Sequence, residues 1–169
     1  MRSIEHGNFI DEEAAACMQA AGAYFVPTLT TYFVISAYGA AQGVPQRMID
    51  KINKAKERGL ASLEIARAAG LKICSGSDVL AAMQPLKSME FGLKAQVLGA
   101  HAAILSATNT NAELFGMADE IGSIEPGKLA DLIVVSGNPL EKIDILQDPA
   151  NVVLVMHEGR VVKNAMNAS

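Results

Sequence analysis

The sequence predicts an α/β fold that gives way, near its end, to a small antiparallel β unit. Three observations carry this expectation. From residue 1 to about residue 116, short apolar runs alternate with segments of helical period. Glycine, proline or a capping residue stands at most junctions between them. After Gly116, short β-prone segments follow one another, separated by Pro126-Gly127, Gly137-Asn138-Pro139 and Glu158-Gly159.

Each element has a local reason. Arg2–Glu5 reads as a strand ending at His6-Gly7. Asp11 is suited to cap a helix, and Glu12 and Glu13 suit the positive end of its dipole. That helix continues through Ala14–Ala21 and stops at Gly22. Ala23–Val26 is a second strand, ended by Pro27. Thr28–Val44 reads as a long, irregular segment, and long loops in compact domains are often functional. Pro45 opens the next helix from its first turn. Apolar residues from Met48 to Ile65 recur at helical spacing, with a bend expected at Gly59 and a stop at Gly70.

Leu71–Cys74 is the third strand, followed by a Ser75–Asp78 turn. Leu86–Leu98 is helical, with Glu90 and Lys94 four residues apart on it. Ala100–Ala107 and Asn111–Phe115 read as two short helices. Strands separated by helices in this order imply parallel pairing through right-handed crossovers. The β segments expected in the last unit are Ile121–Ile124, Leu132–Val135, Val152–His157 and Arg160–Lys163.

Composition excludes several classes. The chain has 169 residues, half of them hydrophobic and 19% charged, so it can build a packed core. Its net charge of −4, with no basic face, argues against a nucleic-acid partner. No apolar run reaches the ~20 residues a membrane span needs, and MRSIEHGNF has no signal-peptide character. Cys17 and Cys74 are far apart, lie in apolar contexts and form no pair motif. They read as reduced core thiols of a cytoplasmic protein.

In a parallel α/β sheet, functional groups gather at the C-terminal ends of strands. His6 and Asp78 both occupy such ends. Neutral imidazole is a good zinc ligand, and a carboxylate can ligate the same ion or take a proton from water bound to it. Each residue has a plainer alternative. A histidine after a strand also suits a structural hydrogen bond, and an aspartate after Gly-Ser also suits a helix cap or turn. His101 and His157 read as structural or solvated. Lys51–Arg58 reads as a solvated helix face. Neither a phosphate-cradling glycine loop nor a Gly-x-Ser-x-Gly elbow is present.

Five stretches taken together resemble the amidohydrolase superfamily: SIEHG, YFVPTLTTY, GLASLEIARAAGLKICSGSD, LSATNTNAELFGM and IGSIEPGKLADLIVVSGNPL. The branch they are most similar to contains prolidase-like dipeptidases and imidazolonepropionase. The resemblance implies a (β/α)8 barrel with an appended β-sandwich, one or two divalent metals, commonly zinc, and attack of activated water on an amide or cyclic amide carbon. It matches His6 to the metal-ligand histidine after the sixth barrel strand. Asp78 matches the aspartate after the eighth, which binds metal and acts as general base and then acid. Thr28, Thr31 and Tyr32 fall where substrate-facing loops lie, and Ser77 stands where a threonine is common.

The departures matter as much. The family's His-x-His pair, its fourth-strand lysine and its fifth-strand histidine have no counterpart here. A complete barrel takes about 250 residues. The expectation is therefore a C-terminal fragment: a partial barrel of about the last three βα units over residues 1–116, and part of a small β-sandwich over residues 117–169. The parent would be a hydrolase of carbon–nitrogen bonds acting on a small amide or dipeptide-like substrate. The fragment alone is expected to be inactive and to hold metal poorly or not at all. The competing expectation is a non-catalytic module that self-associates or pairs with a separate front half through its open strand edges.

Overall fold

The computed structural model describes residues 1–166; residues 167–169, the last of the expected 117–169 unit, lie outside them. Strands β1 (Ser3–Glu5), β2 (Tyr24–Val26) and β3 (Lys72–Ile73) form a parallel sheet in that order. Ser3 pairs with Tyr24, and Tyr24 in turn with Lys72, so the strands run level. Helix α1 (Glu12–Ala20) links β1 to β2, and Asp11 caps it by accepting from Ala14 N at 2.8 Å. Helix α3 (Gln46–Ala68) returns the chain to β3. This is the βαβαβ order read from the sequence.

The core sits between this sheet and its helices. Phe25, at the centre of the middle strand, is fully buried, as are Ala15, Leu63 and Ala66; Leu29 and Met18 are nearly so. Burying a side chain such as Phe25 contributes about 1.5–3 kcal/mol. Two glycines let backbone approach this core. Gly7 (φ 57°) lies against the Phe25 ring, where a methyl group would collide. Gly59 faces Leu29, whose Cδ2 would stand 2.9 Å from an added Cβ. Gly59 therefore serves packing, and α3 continues through it to Ala68.

Four local expectations are corrected. Thr28–Val44 is not irregular: helix α2 (Leu29–Tyr38) and a short 3-10 turn at Ala40–Gln42 occupy most of it. Pro45 stands at the cap of α3 rather than inside its first turn. Helix α4 (Met89–Leu98) starts three residues later than read, after a 3-10 segment at Ala81–Leu86. Cys17 lies on the outer face of α1 and is exposed, whereas Cys74 is buried as read.

Helices α5 (Ala100–Ala107) and α6 (Asn109–Phe115) follow α4 as expected. A second sheet then forms from β4 (Leu132–Val135), β5 (Val152–His157) and β6 (Arg160–Asn164), antiparallel in that order. Ile121–Ile124 is a bend rather than a strand, with no ladder partner among the described residues. The aspartate of the Leu129-Ala130-Asp131-Leu132 stretch has a structural task. Its Oδ1 accepts from Glu158 N (2.6 Å) and lies 3.0 Å from His157 Nδ1, fixing the β5–β6 hairpin turn. These bonds hold the Asp131 carboxyl below its ordinary range, the Glu158 amide first among them.

Candidate functional site

The three parallel strands end in the same unusual way. His6 follows β1 with φ 67°, Thr28 follows β2 with φ 46°, and Asp78 closes the loop after β3 with φ 50°. Residues with side chains seldom adopt this left-handed conformation, and a β-branched threonine there is a genuine outlier. Such strain costs of the order of 1–3 kcal/mol per residue, and where it persists it gathers at functional sites.

These residues are linked. His6 Nδ1 lies 2.7 Å from Thr28 Oγ1. Anchoring one ring nitrogen fixes the ring's direction and leaves Nε2 for another partner. The Tyr32 ring meets His6 edge to face, with centroids 6.4 Å apart and planes at 89°. Burial raises the Tyr32 phenol above its ordinary value, and the Asp78 charge raises it further. His6, Thr28, Tyr32 and Asp78 thus share one mouth at the C-terminal edge of the sheet. His6 and Asp78 are exposed, Tyr32 is half-buried, and Thr28 and Thr31 are buried. The Thr28 hydroxyl is committed to His6, so Tyr32 is the substrate candidate that borders both ionisable groups. His101 and His157 are exposed, and His157 belongs to the hairpin described above.

The donor set bears on whether a metal fits. An imidazole after β1 and a carboxylate after β3, on either side of β2, are suitable ligand types for a divalent cation. Among the described residues, however, no group of three or more His, Cys, Asp or Glu side chains is placed to hold one.

Sequence reasoning missed the polar layer beneath the mouth. Glu90 and Lys94, whose spacing alone was legible, are buried at 3% and 0% exposure. Glu90 accepts from Leu29 N (3.1 Å), Thr30 N (2.8 Å) and Thr30 Oγ1 (2.7 Å). Lys94 donates to the Cys74 carbonyl (3.3 Å) and to Ser106 Oγ. Burial pushes the Glu90 carboxyl up and the Lys94 ammonium down to about 8; each charge opposes the shift of the other. Burial, chiefly, also raises the Cys74 thiol to about 11. Asn111, on α6, pairs its side-chain amide with both the N–H and the C=O of Ser75, at 3.0 Å each, and so continues β3 like a short strand. Asn8, two residues after His6, is buried with Nδ2 donating to Ala55 O and Oδ1 without a partner. No local sequence signal marks Glu90, whose partners lie about 60 residues away. Asn111 has one: it belongs to the LSATNTNAELFGM stretch singled out above.

Known proteins agree with this architecture. The family model "Amidohydrolase family" matches residues 1–162. A solved prolidase, complexed with N-methylphosphonate-L-proline, is 43% identical with a TM-score of 0.94 over 97% of this chain and 40% of its own. A Xaa-Pro dipeptidase with methionine bound in its active site is 35% identical, with a TM-score of 0.87, over 97% of this chain and 40% of its own. Ochratoxinase of Aspergillus niger is 26% identical over 163 residues, 96% of this chain and 34% of the enzyme. The chain therefore spans about a third to two fifths of these relatives. The family match over residues 1–162, with the likeness in sequence and fold, makes this chain a member of the amidohydrolase family, whose members are hydrolytic enzymes.

Proposed function

We propose that this chain forms the C-terminal part of a metal-dependent hydrolase of carbon–nitrogen bonds, acting on a small amide or dipeptide-like substrate. In this reading residues 1–116 are about the last three βα units of a (β/α)8 barrel, and residues 117–169 belong to a small β-sandwich. The observation that carries it is the convergence of His6, Thr28 and Asp78, each in a left-handed conformation, at three successive strand ends. The prolidase and Xaa-Pro dipeptidase likenesses favour a dipeptide-like substrate. The two widely separated, unpaired cysteines favour a cytoplasmic location.

His6 would hold the metal, commonly zinc in this family, through Nε2, with Thr28 fixing its ring. Asp78 would hold it through a carboxylate oxygen. When bound, the ion supplies Lewis-acid polarisation that makes water nucleophilic at neutral pH. The remaining chemistry falls to the chain. Asp78 takes the proton of the attacking water and returns it to the leaving nitrogen. Tyr32 borders His6 and binds the substrate from the first turn of α2, with Thr31 beside it. Two donors are too few for tight binding, since zinc sites use three or four ligands. The isolated chain is therefore expected to be inactive.

A titration of the chain with Zn2+, followed by NMR of its histidine rings and carboxylates, tests this reading. His6 and Asp78 should shift together with weak affinity, and Asp78→Asn should weaken the His6 response. No turnover of a Xaa-Pro dipeptide should accompany it. Zn2+ shifts confined to His101 or His157, or hydrolysis by the chain alone, would contradict the assignment.

A further inference from the structure

We propose that Glu90 and Lys94 are positioning residues for the strand-end mouth: from one turn of α4 they set the conformations of the loops that carry Thr28 and Asp78. The functional meaning of this inference rests on the hydrolase reading; its geometry does not.

Thr28 stands at the N-cap position of α2, where a threonine side chain ordinarily accepts from the helix's first amides. Here it makes no such bond: its backbone is left-handed rather than extended, and its hydroxyl is directed to His6 Nδ1. The orphan amides of Leu29 and Thr30 turn instead to the Glu90 carboxylate, which also accepts the Thr30 hydroxyl. A remote cap thus releases the local one to orient His6. Four residues along α4, Lys94 draws the Cys74 carbonyl toward the helix at the point where β3 yields to the Ser75–Asp78 loop. Ser106 fixes the ammonium and donates in turn to Ala103 O at 2.6 Å.

Stability alone does not account for the pair. The two side chains bond to different partners rather than to each other, and buried charges are commonly matched or surpassed by apolar residues of equal volume. What this pair adds is direction: two of the three strand-end loops are tied to the same helix by charged hydrogen bonds, which are stronger and more directional than neutral ones.

Glu90→Gln tests the proposal, because its amide keeps the volume but has one acceptor oxygen where the carboxylate has two. Exchange of the Leu29 or Thr30 amide should accelerate by about tenfold relative to α3 amides, the cost of about one hydrogen bond. The 15N shifts of His6 Nδ1 and Nε2 should move, reporting a changed tautomer balance. Glu90→Asp, which restores the carboxylate on a shorter stem, should bring the His6 signature back toward that of the unaltered chain. A purely structural role would lower the unfolding temperature and leave the His6 signature unchanged, and that result overturns the proposal. Should Glu90→Gln fail to fold, the unaltered chain decides. Leu29 and Thr30 amides must then exchange as slowly as those inside α3, and exchange at the rate of the Gly43 turn overturns the inference. None of these readouts needs a metal. A chain whose His6 ignores Zn2+ but responds to Glu90→Gln loses the hydrolase assignment and keeps the positioning one.

Discussion

Asp78 shows how backbone and chemistry compete at a single residue. It is exposed, it takes no part in any ion pair among the described residues, and its φ is 50°. An L-residue in this region loses about 1–2 kcal/mol relative to right-handed backbone. Glycine carries no such penalty but costs about 0.5–1 kcal/mol in conformational entropy. Asp78→Gly is therefore expected to raise the stability of the chain by about 0.5–1 kcal/mol in chemical denaturation, while removing the carboxylate assigned to proton transfer. A loss of stability would mean that the Asp78 side chain is held by contacts that outweigh its backbone strain. Thr28, equally left-handed, is a poor subject for the same experiment, because its hydroxyl bond to His6 would be lost along with the strain. At this scale the sequence was informative. His6 and Asp78 stood out because each ends an apolar run, and the structure brings both to one edge of the sheet.

Among the elements, α2 and α4 explain each other and explain what the sequence concealed. LTTYFVISAY is rich in β-branched residues, and the threonine before it is occupied elsewhere, so no local signal announces a helix start. The start is supplied from α4 by Glu90. The spacing of Glu90 and Lys94 correctly suggested partners on one helix face. It could not say that the face is buried, because the covering layer comes from α2, α5 and the end of β3. The strands of the parallel sheet and the stops beside them were legible for the opposite reason: Asp11, Gly22, Pro27 and Gly70 act on their own neighbours. The buried pair also makes a stability prediction. Lys94→Met removes a nearby charge that favours ionised Glu90 and strips the Cys74 carbonyl and Ser106 of their buried donor, and should cost about 1–3 kcal/mol at neutral pH. The cost should shrink in acid. Glu90 is already raised above its ordinary value of 4.5, and losing the Lys94 charge raises it further. The folded variant then binds a proton that the unfolded chain releases above 4.5, so its stability falls as pH rises from there toward the raised folded value. Adding Glu90→Gln to Lys94→Met should recover part of the loss at pH 7 and flatten this pH dependence. A double-variant loss equal at every pH to the sum of the losses for Lys94→Met and Glu90→Gln alone would show that the two groups are energetically independent.

For the molecule as a whole, the governing fact is how much of it lacks a cover. Among the described residues β1 and β3 each present an unpaired edge, and the parallel sheet of a complete α/β protein is ordinarily enclosed. A cleft of about 730 Å³ runs between α6, the Ile121–Ile124 bend and the β4–β5 face, and it is predominantly apolar. Phe115 and Ile124 are 67% and 86% exposed there, and Ile133 is 52% exposed. Contiguous apolar surface of this kind marks an interface in a soluble protein. Relatives more than twice as long supply a reason for it, because their additional residues can cover these faces. The purified chain should accordingly associate with itself in a concentration-dependent manner in sedimentation velocity. Phe115→Ser combined with Ile124→Ser should weaken that association by about tenfold or more, since burying two large side chains contributes several kcal/mol. Both side chains are already mostly in solvent, so the unfolding midpoint should change by less than about 0.5 kcal/mol per site. A chain that stays monomeric at every concentration, or an association untouched by the double substitution, would assign these faces to the chain's own stable surface. Association lost only on altering the outer edge of β1 or β3 would instead place the contact at the open sheet, where strand addition is the physical route.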